Sequence, residues 1–269
     1  MRFLHICAGW QENNGAAVIA RLLMAEQRAE GHEVSFATWA TRKQLRQADV
    51  VVNHCAWMPC LWWAALWAKH LWWVPEASYD PVRRAYHGWK KICVGPIERF
   101  CLRRAEKIIA TCPAEVAWIQ SYISPCPLIE VTDICRFFHW TNEKTPSHKP
   151  LRLLYLGRPH PLKDVASLEA AVVHFEGQVT LRQVSNAFGA EKEKVWDWCD
   201  VLVLPTLSDN FGLVIAEALV HGKRVITTDG APAWENHSEV IYLKGYRTAP
   251  AAMRIAQLQS AIQSLLIEA

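Results

Sequence analysis

Val201-Leu-Val-Leu-Pro-Thr-Leu-Ser-Asp-Asn-Phe-Gly-Leu-Val-Ile-Ala-Glu-Ala-Leu-Val-His-Gly222 decides the fold of this 269-residue chain. A short apolar run of strand type, residues 201–204, passes through Pro205 and a polar turn into an apolar helix that starts near Gly212 and stops at Gly222, a glycine suited to a helix C-terminus. The next run, Lys223-Arg-Val-Ile-Thr-Thr228, reads as a second strand, so the stretch is a βαβ unit of a parallel sheet. In open parallel sheets ligands lie at the C-terminal ends of the strands, where helix N-termini offer N–H groups to anions. Residues 208–213 therefore stand where a phosphate would bind. Within the helix Glu217 is the one carboxylate among apolar neighbours. It either meets a partner, or points to water with Asp209 or Asn210 serving only to cap the helix.

A second element lies upstream. Leu151-Arg-Leu-Leu-Tyr-Leu-Gly157-Arg158 reads as a strand running into a loop, with Lys163 five residues further on. Arg158 would present a fork and Lys163 a point charge to a diphosphate, and each alone also fits a solvated surface cation. Together the two elements resemble those of family 4 glycosyltransferases, retaining sugar-nucleotide enzymes of the GT-B fold. Asp209 and Glu217 match its Glu-x7-Glu segment, with Asp209 one methylene shorter than the usual Glu. Gly157, Arg158 and Lys163 match its Gly-Arg-x4-Lys element.

The resemblance implies an α/β fold of two Rossmann-like domains facing across a cleft. It implies donor binding by Gly157, Arg158, Lys163, Asn210, Phe211, Gly212, Leu213 and Glu217. Glu217 would hold the ribose diol, Asp209 the hydroxyls of the transferred sugar, and Arg158 and Lys163 the diphosphate. The catalytic set is then Asp209, Glu217, Arg158 and Lys163. Family members carry one more βα unit before the strand matching residues 179–184, so the C-terminal domain is abridged.

The N-terminal half opens as a strand over residues 2–7, a loop, a helix to about Glu30 and a strand from Glu33, without a G-x-G-x-x-G fingerprint. Asn14 and Gly15 take the place of the family's glycine-containing loop near the donor phosphates or the acceptor; Asn-Gly before a helix is also an ordinary turn. Asp49-Val-Val-Val-Asn-His54-Cys-Ala-Trp57 is similar to a family segment in which a strand ends on histidine, and His54 reads either as an acceptor contact or as a satisfied structural histidine. At Trp73-Val-Pro-Glu76 the family's histidine near the reacting sugar is replaced by Glu76. The expected boundaries are residues 1–145 for the acceptor domain and 151–248 for the nucleotide-sugar domain. They are separated by the polar, proline-containing stretch around 141–150. Residues 249–269 form a terminal helix expected to return to the first domain.

Apolar residues make up 51% of the chain, enough for a core in each domain, and no run reaches the roughly 18–20 apolar residues of a membrane span. The N-terminus is too soon interrupted for a secretory signal, and the nine cysteines include no C-x2-C pair. They read as reduced core residues of a cytoplasmic protein. Residues 81–107 hold eight Lys or Arg against two Glu, and residues 57–73 hold six Trp. Basic and aromatic residues side by side fit an anionic membrane surface, a core helix with a solvated charged face, or, with no accompanying motif, nucleic acid as the weakest option. No nucleic-acid partner is expected.

Residues 81–122 resemble a subgroup of these transferases associated with lipopolysaccharide core and cell-surface polysaccharide assembly. That implies a glycolipid or oligosaccharide acceptor at the inner face of the cytoplasmic membrane. The reading is a hexosyltransferase-like enzyme using a nucleotide-diphosphate sugar, a UDP-sugar first, with no cofactor and no metal. A sugar-nucleotide epimerase or phosphorylase on the same plan, or a non-catalytic sugar-nucleotide-binding subunit, shares the diphosphate site.

Overall fold

The structure is a computed structural model that describes residues 1–8, 15–141, 147–185 and 187–268. It divides into two compact units, Met1–Phe137 and Phe138–Ala269. The boundary falls before the polar stretch at 141–150 rather than within it. Phe138 stacks on Phe211 and Trp140 meets Trp234 edge-on, so the aromatic lead-in already belongs to the second unit.

In the first unit the elements run β1 (Arg2–Ile6), α1 (Gly15–Ala29), β2 (Glu33–Ala37), α2 (Arg42–Gln47), β3 (Val50–His54), α3 (Pro59–Trp67) and β4 (Leu71–Val74). They continue as α4 (Pro81–His87), α5 (Trp89–Arg103), β5 (Lys107–Ala110), α6 (Pro113–Tyr122) and β6 (Leu128–Val131). All paired strands are parallel, in the order β2-β1-β3-β4-β5-β6. Strands β3 and β4 are central and largely buried on both faces, as a doubly covered parallel sheet requires, with Asn53 and His54 the polar residues at the end of β3.

The tryptophan-rich stretch packs inward. Trp73 is fully buried and donates to the Cys55 carbonyl, Trp63 donates to the Ala40 carbonyl, Trp62 donates to the buried Glu98, and Trp57 lies edge-on to Tyr79 and Tyr122. These rings build the core rather than a surface patch. Five cysteines are likewise buried (Cys7, Cys60, Cys101, Cys112 and Cys199), whereas Cys93 is exposed, against the expectation of a core residue.

The second unit comprises β7 (Leu151–Leu156), α7 (Val165–Val172), β8 (Val179–Val184), α8 (Gly189–Trp198), β9 (Val201–Leu204), α9 (Leu213–Val220), β10 (Arg224–Thr228), β11 (Val240–Leu243) and α10 (Ala251–Glu268). Its parallel sheet has the order β11-β10-β9-β7-β8. Only a single 3-10 turn, Val173–Phe175, separates α7 from β8, so the abridgement read from the sequence is a feature of the sheet. Helix α10 lies along α7 of its own unit, with Leu258, Ala261, Ile262 and Leu265 buried. Asp164, just before α7, accepts from Tyr246 at 2.8 Å and pairs with Arg254 at 3.1 Å, tying that helix layer together. Within its own unit the terminal helix thus packs on α7.

Candidate functional site

The chain enters the second sheet at β7, places β8 on one side and then crosses to β9 on the other. That reversal of direction opens a crevice between the loops that follow β7 and β9. The first of these loops carries Gly157, Arg158 and Lys163, and the second carries residues 206–212. Lys163 Nζ forms an ion pair with the Asp209 carboxylate, both side chains partly buried, so one contact bridges the two loops at the crevice. Arg158 is exposed, and its carbonyl accepts from Tyr155 at 3.0 Å.

The β9–α9 loop is held rigidly. Thr206 Oγ1 donates to the Leu162 carbonyl at 3.1 Å and Leu207 N donates to the same oxygen at 2.8 Å, locking this loop to the one after β7. Asp209 N donates to the Gly230 carbonyl at 2.7 Å, and Asp209 Oδ1 accepts from Asn210 N at 2.8 Å. Gly212 caps α9 in the left-handed region at φ +66°, where a Cβ would also press on Ile215, so glycine is required there twice over. Phe211 is buried against Trp234, whose indole donates to the Phe211 carbonyl.

Within this fixed loop Ser208 Oγ and both polar atoms of the Asn210 side chain are buried without a hydrogen bond. Buried polar groups are nearly always partnered, so three such atoms in one loop mark a place where a polar ligand would complete the bonding. Leu213 opens α9, and one turn further Glu217 meets Lys192 of α8 at 2.7 Å. The partner sought for the lone carboxylate is thus a lysine of the same unit, and the residue is not simply turned to water.

The first sheet also reverses direction, between β1 and β3. Asn14 lies outside the described residues, and Gly15 is the exposed first residue of α1. At the ends of β3 and β4 four non-glycine residues, Cys55, Trp57, Glu76 and Ala77, take left-handed backbone angles with φ between 54° and 69°. Each such conformation costs of order 1–3 kcal/mol, and clusters of them accompany functional sites.

Here the buried side chains form a line. Gln27 Oε1 lies 2.8 Å from His5 Nε2, His5 Nδ1 lies 2.9 Å from His54 Nε2, and His54 Nδ1 lies 3.2 Å from Glu76 Oε1. With Gln27 Oε1 accepting, His5 donates to it from Nε2 and accepts from His54 at Nδ1. His54 Nδ1 then accepts from Glu76, which must carry the proton. Turning the Gln27 amide over would reverse every bond and leave Glu76 ionised.

Burial favours the first arrangement, because it disfavours every charged form along the line. It pushes Glu76 up to about 8 against the pull of Arg83. His5 falls to about 3 through burial and then the neighbouring His54, and His54 falls to about 3 through burial. The close His54–Glu76 contact is a neutral hydrogen bond rather than an ion pair. Both ring nitrogens of His54 are engaged, which is the structural reading of this residue and leaves neither for an acceptor hydroxyl. Glu115 supports the same corner, accepting from Ala77 N at 2.6 Å and Thr111 N at 2.8 Å.

Residues 136–267 match the family model described as glycosyl transferases group 1. The second unit is a group 1 glycosyltransferase domain. The chain carries this glycosyltransferase domain and has the GT-B fold of two parallel sheets flanked by helices, which solved structures share. Sucrose-phosphate synthase from Thermosynechococcus elongatus is 15% identical, with 99% of this chain and 89% of that one covered at a TM-score of 0.72. Anabaena HepE, solved in complex with UDP-glucose, is 15% identical, with 100% and 95% covered at 0.65. The lipopolysaccharide outer core galactosyltransferase WaaB is 13% identical, with 99% and 91% covered at 0.59. No curated protein matches by sequence.

Three residues of the group 1 domain escaped the sequence reading. Lys192 sits in a charged helix, Gly-Ala-Glu-Lys-Glu-Lys, and nothing local marks which lysine faces Glu217. Gly230 and Trp234 follow β10, where Asp229-Gly-Ala-Pro reads only as a turn. Yet a Cβ on Gly230 would fall 2.0 Å from the Thr206 carbonyl oxygen, so this glycine lets two backbones meet behind the β9–α9 loop.

Proposed function

We propose that the chain transfers a sugar from a nucleotide-diphosphate sugar, with UDP as the nucleotide, to a glycolipid or polysaccharide acceptor with retention of anomeric configuration. The observation that carries this reading is the meeting of Lys163 and Asp209 across the crevice between β7 and β9. It sets a cation and a carboxylate beside buried Ser208 and Asn210, whose side-chain polar atoms lack hydrogen-bond partners. A diphosphate would take Lys163 and Arg158, leaving Asp209 and Asn210 to the hydroxyls of the sugar. Glu217, paired with Lys192, would hold the ribose diol. HepE was solved with UDP and with UDP-glucose, which favours UDP as the first donor to test. The fold shared with WaaB is in keeping with a lipopolysaccharide core acceptor at the inner face of the cytoplasmic membrane.

Negative charge grows on the leaving diphosphate as the anomeric C–O bond breaks, and fixed cations on that side lower the barrier. The acceptor hydroxyl would attack from the same face and give its proton to the leaving phosphate oxygen, so no separate base is needed. Arg158 and Lys163 supply the charge that a divalent ion would otherwise provide, and turnover should survive chelation. From an α-linked UDP-sugar the product should be an α-glycoside formed only when acceptor is present. Anomeric coupling in the NMR spectrum of the product, measured with and without EDTA, tests this. A β-glycoside would overturn the retaining reading, donor conversion without acceptor would point to an epimerase or phosphorylase, and loss of turnover in EDTA would refute metal independence.

A further inference from the structure

Helix α5 turns an apolar stripe outward. By the helical period Trp89, Ile92, Pro96 and Phe100 share one face, and Trp89 and Ile92 are 70% and 76% exposed. Ile97 and Phe100 are about half exposed, and Tyr86 of α4 adds a further exposed ring. The inward side carries Cys101 and Leu102 together with one acid, Glu98, which is fully buried, accepting from Tyr79 Oη at 2.7 Å and from Trp62. Lys91 lies 3.7 Å over the Trp57 ring. A surface helix ordinarily leaves no such apolar stripe in water, and a contiguous exposed apolar patch marks an interaction site.

The charge around this patch has one sign. Residues 81–105 contain seven Lys or Arg and a single acid, which is the buried Glu98. Lys90 and Arg103 are exposed at the edges of the stripe. Apolar rings that can enter the headgroup boundary, with exposed Lys90, Arg103 and Arg104 and no exposed acid within residues 81–105, complement a negatively charged bilayer.

We infer that the outward face of α5 is a peripheral docking surface for anionic phospholipid, with Trp89, Ile92 and Phe100 inserting and Lys90 and Arg103 meeting the headgroups. This deepens the proposed glycolipid acceptor, since it would bring the chain to the surface where such an acceptor resides. It does not depend on the donor chemistry.

The test is flotation of the full chain, without nucleotide, on vesicles of phosphatidylcholine alone or mixed with phosphatidylglycerol. Binding to the mixed vesicles should exceed binding to the neutral ones and fall with salt, as screening shortens to ~10 Å at about 0.1 M. Trp89→Gln/Ile92→Gln/Phe100→Gln and, separately, Lys90→Gln/Arg103→Gln should each lower bound protein roughly tenfold. Both variants should keep parental UDP binding and melting temperature, which separates loss of docking from loss of the fold or of the donor reading. Equal flotation of parent and variants, or no preference for the anionic vesicles, would overturn the inference. So would a parent dimer, seen by sedimentation and abolished in the triple variant, without vesicle binding, because the face would then belong to a second copy.

Discussion

Glu217 and Lys192 illustrate how much one contact changes the reading of a residue. The carboxylate was legible in the sequence as an anomaly on an apolar helix, but its partner lies 25 residues away on α8 and only the fold brings them to 2.7 Å. Both side chains keep about a quarter of their surface in water, and partly exposed pairs contribute only ~0–1 kcal/mol. Glu217→Gln should therefore leave the melting temperature within about 2 °C of the parent while weakening donor binding, measured by calorimetry, roughly tenfold through loss of a charge-assisted bond. Unchanged donor binding would make Glu217 a purely structural residue.

Glu76 gives a prediction of the opposite kind. Its proton is held in the folded state up to about 8, whereas an unfolded glutamate loses it near 4.5. Folded stability from this group is thus fully present below about 4.5 and is lost as pH rises through about 8. His5 and His54, lowered to about 3, act in the other direction, and their contribution is lost as pH falls from about 6.5 through 3. Glu76→Gln keeps a donor for His54 and cannot ionise, so its melting temperature should gain on the parent between pH 6 and 9. A pH-independent difference would mean that Glu76 is already ionised in the fold.

At the scale of elements, the strands of the second unit were legible almost to the residue. Short apolar runs bounded by Gly, Pro and charge leave little freedom in a parallel sheet. The loops were legible as motifs but not as objects with a shape. The β9–α9 loop owes its form to Gly230 and Trp234 on the neighbouring β10 connection, and contact between two backbones leaves no periodic trace in sequence. Gly230→Ala would put a methyl into the Thr206 carbonyl. Overpacking of this kind costs ~1–3 kcal/mol, so melting should fall by roughly 3–10 °C with donor binding weakened in parallel. A parental melting curve would mean that the two connections are free to part.

Helix α5 shows the converse failure. Its charge run was visible in sequence, but the tryptophans at 57–73 read equally as the aromatic half of a membrane surface or as a core helix. Six rings in a short run look alike on paper, and only packing shows that they serve the core while Trp89 and Phe100 face out.

Across the whole molecule, alternating apolar runs and helices marked the strands of each half and the family resemblance implied the two-domain plan, whereas the observed boundary lies several residues before the expected one. Polar composition at 141–150 marked the linker, but Phe138 and Trp140 already pack on Phe211 and Trp234, and aromatic contacts outweigh composition in deciding where a unit begins. The account rests on one claim about the second unit, that the loops after β7 and β9 bind the diphosphate of a UDP-sugar. Titration calorimetry of UDP into the full chain and into Arg158→Ala/Lys163→Ala tests it most directly. The account predicts saturable binding by the parent and a Kd raised roughly tenfold or more in the double variant, with folding intact, since each charge-assisted bond contributes ~1.5–3 kcal/mol. Equal affinity of the two proteins for UDP would contradict it.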